Sequence, residues 1–219
     1  MKKILTSDDA VSQVKDGDSV MLGGFMCCGQ PLGLVDALIR KNASKLVLIS
    51  NDGGLPGTGV AKLIEQKRVA HLIASHIGLN PAAGQQMHSG EMKVELVPQG
   101  TLAEKIRCAG AGLGGVLTPT GIGTEVENGK QKIAVEGKDY LLETPLSADF
   151  ALIKADVCDK FGNCFIAKAQ KNFNIVMAMA ARHTIVEAAE VVEIGQLDPD
   201  KANLPGVFVH AIVKAEAKK

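Results

Sequence analysis

The chain has 219 residues, 46% of them hydrophobic and 22% charged, enough to bury a substantial core, and residues 1–219 read as a single domain. Its 24 Lys and Arg balance 24 Asp and Glu, and it carries one Tyr and no Trp, so neither a basic field nor a stacking platform points to nucleic acid as a partner. No apolar run approaches the roughly 20 residues of a membrane span. The basic start Met1-Lys2-Lys3 meets Ser7-Asp8-Asp9 before any apolar run long enough for a signal sequence, which implies a cytoplasmic protein without a membrane partner.

Thr6-Ser7-Asp8-Asp9 has the form of a capping box with Asp in the place of Glu, opening a short helix with Val11 and Val14 inward. Val20 to Leu22 then reads as a buried strand that ends abruptly in Gly23-Gly24-Phe25-Met26-Cys27-Cys28-Gly29-Gln30-Pro31. Glycine lets another group approach the backbone, and Pro31 suits the first turn of a helix through Leu34, Leu38 and Ile39. A strand–loop–helix junction of this kind presents backbone N–H groups to a ligand, although a plain tight turn uses the same residues. The stretch does not follow the G-x-G-x-x-G dinucleotide pattern.

Lys45 to Ser50 is a second strand, ending in the polar turn Asn51-Asp52-Gly53-Gly54. Gly59 to Lys67 has helical spacing, and Val69 to Ser75 reads as a third strand. This β-α-β-α-β order predicts an α/β fold: an open, mostly parallel sheet with helices on both faces, whose loops after Leu22, Ile49 and Ala74 are neighbours at one edge. The third loop, with His76, Asn80, Pro81, Gly84, His88 and Glu91, is rich in polar groups and turn formers and reads as a pocket wall. His76 and His88 lack a third ligand of clear spacing, so no metal site is expected.

Val94 to Val97 is a fourth strand, and Pro98-Gln99-Gly100-Thr101 turns into a helix carrying Leu102, Ile106 and Arg107. The neutral amide of Gln99 is of the type that stabilises an oxyanion, and equally of the type that braces a loop. Gly110, Gly112 and Gly115 do satisfy G-x-G-x-x-G, but they follow a helix and precede the strand Val116 to Thr118, the reverse of the order that the dinucleotide motif requires. After the loop Pro119 to Thr124, the segments Gln131 to Val135 and Lys138 to Leu142 flank Glu136-Gly137 as a β-hairpin excursion. Asp149 to Ala155 and Asn163 to Lys168 read as strands joined through Asp159 to Gly162, Phe173 to Arg182 as a buried helix, His183 to Ala188 and Val207 to Val213 as strands, and the Lys- and Ala-rich last residues as a tail.

The five cysteines, at 27, 28, 108, 158 and 164, lack C-x-x-C spacing and are expected reduced. Cys27 and Cys28 have no base identifiable in the sequence and read as small loop residues rather than nucleophiles.

Taken with Ser50-Asn51-Asp52, Ser75-His76-Ile77-Gly78, Ser89-Gly90-Glu91-Met92, Val97 to Leu102 and Gly112 to Thr124, the glycine stretch closely resembles the α subunit of family I coenzyme A transferases, in order over nearly the whole chain. Within that family it is most similar to the acetate CoA-transferase and butyrate:acetoacetate CoA-transferase group. The resemblance implies a β subunit of related fold, a hetero-oligomer of α2β2 or larger, and ping-pong transfer of CoA between short-chain carboxylic acids through a glutamyl-CoA thioester. That glutamate is supplied by the β subunit. No cofactor is bound permanently, and coenzyme A enters as acyl-CoA substrate. The resemblance also implies that Gly24, Phe25, Met26, Cys27, Cys28, Gly29 and Gln30 form a CoA-contacting loop and that Gln99 stabilises the oxyanion. Met26-Cys27-Cys28 stand where relatives have small or apolar residues. Glu127-Asn128-Gly129 echoes the Glu-Asn-Gly around the family's nucleophile, but its flanks read as a solvated turn. A sugar-phosphate isomerase or a non-catalytic phosphosugar-binding protein of similar architecture is the alternative, with glycine loops cradling phosphate at helix N-termini.

Overall fold

The computed structural model describes residues 1–216, so the tail expected at the end of the chain falls largely outside the described residues. Its strands are β1 (Lys3–Leu5), β2 (Ser19–Leu22), β3 (Leu46–Ile49), β4 (Val69–Ala74), β5 (Lys93–Leu96), β6 (Val116–Thr118), β7 (Lys132–Val135), β8 (Lys138–Glu143), β9 (Ala148–Asp159), β10 (Cys164–Phe165), β11 (Ala181–Val192) and β12 (Ala211–Lys214). The helices are α1 (Ser7–Val11), α2 (Leu32–Lys41), α3 (Val60–Glu65), α4 (Pro81–Ser89), α5 (Gln99–Gly110) and α6 (Lys171–Ala180).

A nine-stranded sheet runs β1-β12-β11-β9-β2-β3-β4-β5, every neighbouring pair parallel, with β10 joining β9 antiparallel. The strand period of two divides each strand between two cores. Val20 and Leu22 pack on one side with Leu34 and Leu38 of α2 and Leu63 of α3. Met21 packs on the other with Leu102 and Ile106 of α5 and Phe173 and Met177 of α6. Helices therefore cover both faces, and parallel strands buried in this way need continuous apolar runs such as Leu46 to Ile49 in β3 and Phe150 to Ile153 in β9.

Beyond β5 the chain leaves the main sheet for a three-stranded antiparallel sheet, β6-β8-β7, whose hairpin turns at Glu136 and Gly137, both with positive φ. The buried carboxylate of Glu143 in β8 (1% exposed side chain) pairs with Lys105 of α5 at 3.3 Å and with Lys130 at 2.5 Å, tying the small sheet to the main body.

Several local readings change. The third loop is not open: Asn80 accepts from Ala82 N and Ala83 N at 3.1 and 3.3 Å, and Pro81 in the first turn starts α4. Gly84, taken as a turn former, sits inside that helix. The start of the chain is strand β1, specified by its long-range partner β12 and not by its own three residues. The stretch Asn163 to Lys168 contains only the two-residue β10, and Val207 to Val213 is split between a 3₁₀ turn at Gly206–Phe208 and β12. No helix among the described residues is long and apolar enough to cross a membrane.

Candidate functional site

Parallel pairing brings the ends of β2, β3 and β4 to one edge, and the loops after Leu22, Ile49 and Ala74 are neighbours there. Asp52 is the fastener. Its carboxylate is buried (3% exposed) and accepts from Met26 N at 2.7 Å, Asn51 Nδ2 at 2.7 Å and Gly54 N at 2.8 Å, joining the first loop to the second. Ser75 Oγ donates to the Asn51 carbonyl at 2.6 Å, and Asn80 Nδ2 donates to the Gly53 carbonyl at 2.6 Å, which adds the third.

The glycine stretch is a tight turn closed by paired backbone hydrogen bonds between Phe25 and Cys28 (3.0 and 2.9 Å), with Met26 in the left-handed region at φ +53°. This divides the candidate CoA-contacting residues. Phe25 and Cys28 are exposed and Met26 and Cys27 half-buried, so the tip faces outward. Gly24, Gly29 and Gln30 are buried in the base. Gln30 Oε1 accepts from Val60 N at 3.1 Å while its Nε2 donates to the Met26 carbonyl. A Cβ on Gly24 (φ +118°) would lie 2.6 Å from Gln30 Cγ, so glycine is required there by the loop's own packing. Asn174 of α6, wholly buried, seals the same loop from below by donating to the Gly29 carbonyl at 2.9 Å and accepting from Lys154 N at 3.0 Å.

Gln99 opens α5 at this same edge, and its Nε2 donates to Asn51 Oδ1 at 2.6 Å. One N–H of the amide is thereby fixed and the other has no partner among the described residues, so bracing the loop does not use up the side chain's donors.

Glu187 of β11 was invisible to pattern reading, in which it is one polar residue in an apolar strand. Buried at 6% exposure, it accepts from Leu34 N at 2.8 Å and so occupies the N-terminus of α2. Burial raises its carboxyl above the ordinary value, opposed by the amides of Leu34 and Gly33. The helix end that follows the glycine loop is therefore already filled by a carboxylate of the same chain.

Other candidates lie apart from this edge chemistry. Glu127 ends a 3₁₀ turn, accepting from Gly123 N at 2.7 Å and pairing with Lys132, and those contacts, the Gly123 amide first, hold its carboxyl below the ordinary value. It is a turn-bracing anion, as its flanks suggest. His88 Nδ1 bonds the Gly84 carbonyl at 2.7 Å. In the Gly110-to-Gly115 stretch the two end glycines serve packing: a Cβ on Gly110 would lie 2.7 Å from Met179 Cβ, and one on Gly115 would lie 2.7 Å from the Glu143 carbonyl, whereas Gly112 and Gly114 face open space. Cys158 and Cys164 face each other across β9 and β10 with Sγ atoms 3.1 Å apart, and the Cys158 thiol, followed by burial, pushes the Cys164 thiol upward. A hollow of about 330 Å³ beside Lys2, Phe150, His183 and His210 lies at the opposite ends of the strands, remote from the loops.

The family model described as coenzyme A transferase matches residues 4–215. The acetate CoA-transferase subunit alpha of Escherichia coli K12 is 52% identical over 217 residues, covering 99% of both chains. The acetoacetyl-CoA:acetate/butyrate CoA transferase alpha subunit of Clostridium acetobutylicum is 50% identical over 215 residues, covering 98% of this chain and 99% of its own. Among solved structures, an acyl-CoA transferase from E. coli O157:H7, as a thioester complex with CoA, superposes with a TM-score of 0.85 at 21% identity. The match takes in 98% of this chain but 47% of that one, so the chain spans about half of that structure and the likeness speaks for the fold.

Proposed function

The chain belongs to the coenzyme A transferase family as an α subunit, and on that premise we propose that, assembled with a β subunit as α2β2 or larger, it moves CoA between a short-chain acyl-CoA and acetate, butyrate or acetoacetate. The observation that carries the division of labour is the state of the site's carboxylates. Asp52 holds Met26, Asn51 and Gly54, and Glu187 holds the start of α2. A nucleophile must approach a thioester carbonyl unencumbered, and neither group at this edge can do so without dismantling the loops. The attacking glutamate is therefore assigned to the partner.

In the proposed sequence that glutamate attacks the acyl-CoA carbonyl and expels CoA thiolate, leaving a mixed anhydride. The thiolate then attacks the glutamyl carbonyl, releasing the first acid and forming the glutamyl thioester. The second acid reverses both steps. Each addition places negative charge on a carbonyl oxygen, and Gln99, held in place by Asn51, offers its remaining N–H to that oxygen. The outward turn Phe25 to Cys28 contacts CoA while Gly24, Gly29 and Gln30 hold it in shape. The phosphosugar reading is disfavoured by Glu187, since a phosphate at the start of α2 would meet a carboxylate already seated there.

The test is a coupled assay of the purified chain alone and of the complex co-expressed with its β subunit, with acetate, butyrate and acetoacetate as acceptors. Turnover is expected only from the complex. Sustained turnover by the rigorously purified chain alone would overturn the proposal.

A further inference from the structure

The hollow of about 330 Å³ at the strand ends opposite the glycine loop is not used by the function proposed above. A row of rings from separate segments forms one wall. Phe150 of β9 stacks on His183 of β11 with centroids 5.6 Å apart, and His183 meets His210, the residue before β12, edge to face at 5.1 Å. Lys2, Lys3 and Gln13 line the same hollow, and no Asp or Glu does. Strand alternation puts Lys3 on the face of β1 that carries Leu5, and Leu5 packs on the core that holds Ile185 and Ala211, both of which line the hollow. Lys2 lies close to His210: burial first, then the charges of His183 and Lys2, hold that imidazole below its ordinary value against the Phe208 carbonyl. His210 Nδ1 accepts from Thr184 N at 3.0 Å, so the neutral ring carries its proton on Nε2 and presents a donor there. Asp149, in the adjoining hollow, does not neutralise this group, because its carboxylate accepts from Ser19 N and Oγ at 3.0 and 2.6 Å and faces Arg182 at 3.6 Å.

We infer that this hollow is an anion site, separate from the CoA-facing edge, that takes phosphate or a small phosphate monoester. The phosphoryl oxygens lie between the ammonium groups of Lys2 and Lys3 and accept from His210 Nε2 and the Gln13 amide, and the organic part of an ester lies along the ring row and Ile185. Cations gathered in a concave place without an acidic neighbour raise the local potential, and an anion relieves it. Charge matching selects the anion: two ammonium groups balance a phosphate that carries close to two negative charges near neutral pH, whereas a carboxylate leaves one of them unmatched. The volume falls at the lower end of the roughly 300–1,000 Å³ usual for small-molecule sites, which suits a nucleoside monophosphate or inorganic phosphate and not a whole acyl-CoA.

The test is isothermal titration calorimetry of the complex co-expressed with its β subunit, with inorganic phosphate, adenosine monophosphate and acetate as probes. Wild type is compared with the double variant Lys2→Gln/Lys3→Gln and with His210→Asn, whose amide oxygen still accepts from Thr184 N while the Nε2 donor is gone. Phosphate is expected to bind wild type about tenfold more tightly than acetate, and each variant to weaken it about tenfold or more, the loss of a charge-assisted hydrogen bond. The variants alter the site from different segments, so one that fails to fold leaves the other to decide. The two phosphate probes separate the sources of the group: adenosine monophosphate binding tighter than phosphate, and weakened by the same variants, supports a nucleotide site, and equal affinity supports a site for the phosphate group alone. No heat from either phosphate probe on wild type, wild-type affinity in a variant of unchanged melting temperature, or acetate bound as tightly as phosphate would overturn the site.

Discussion

Gln99 and Asn51 act as a pair, and their removal separates two kinds of effect. Gln99→Ala deletes the donor outright and is expected to lower kcat of the complex about 10²–10³-fold, roughly 3–4 kcal/mol, with assembly by size-exclusion chromatography unchanged. Asn51 keeps its contacts to Asp52 and Ser75 in that variant, so the strand-end loops stay joined. An unaltered kcat would leave Gln99 only its bracing role. Glu187 gives a pH signature of stability. Its folded-state carboxyl titrates above the ordinary value of 4.5 because burial penalises the charge. The folded state therefore binds the proton more tightly than the unfolded one, and this contribution to stability, complete at lower pH, is lost as pH rises from the ordinary value through the raised one. Glu187→Gln removes the titration while keeping an acceptor for Leu34 N. Its melting temperature is expected to fall less than that of wild type across that window, and parallel curves would show that Glu187 does not couple.

At the scale of elements, the glycine loop shows how much a sequence can specify and where it stops. The strand, the turn and the helix at Val20 to Leu38 follow from apolar periodicity and from Gly and Pro conformational preferences, and they stand within a residue of where those signals place them, with Pro31 at the N-cap of the helix and not in its first turn. The alternation of β2, β3 and β4 with helices was sufficient to predict a shared edge, and the hairpin at Glu136-Gly137 was written in its turn residues. What could not be read is the wiring across distance: Asp52 to Met26, Asn174 to Gly29 and Glu187 to Leu34 join residues 26 to 153 positions apart. The same blindness hid β1, whose partner is at the far end of the chain, and mistook α4 for a loop because Asn-Pro and Gly are turn formers as well as helix starters. Gly24→Val illustrates the difference. The loop pattern alone suggests that the new side chain would obstruct CoA, but in the structure its Cβ points into Gln30 from a left-handed backbone. It is expected to destabilise the fold by on the order of 2 kcal/mol in urea denaturation, and to raise KM for acyl-CoA by distorting the turn. Wild-type stability with weakened acyl-CoA binding would place the valine against the ligand instead.

Over the whole molecule, two sheets of different character meet through α5, whose first turn carries Gln99 and Thr101 and whose flank carries Lys105. The central strands β2 and β3 of the main sheet are almost wholly buried, whereas the three-stranded excursion has only exposed or half-buried residues in β6 and β7 and depends on its attachment. That attachment is Glu143, buried between Lys105 of α5 and Lys130 of the loop before β7. Removing one member of such a group leaves uncompensated charge in a poorly solvated place, which costs more than the intact pair contributes to stability. Glu143→Gln is therefore expected to destabilise the protein by about 3 kcal/mol and to loosen it unevenly. In hydrogen exchange, amides of β7 and β8 are expected to exchange faster well before those of β2, β3 and β9, because the excursion opens as a unit while the main sheet holds. Uniform acceleration through both sheets would mean that the excursion and the main body unfold together.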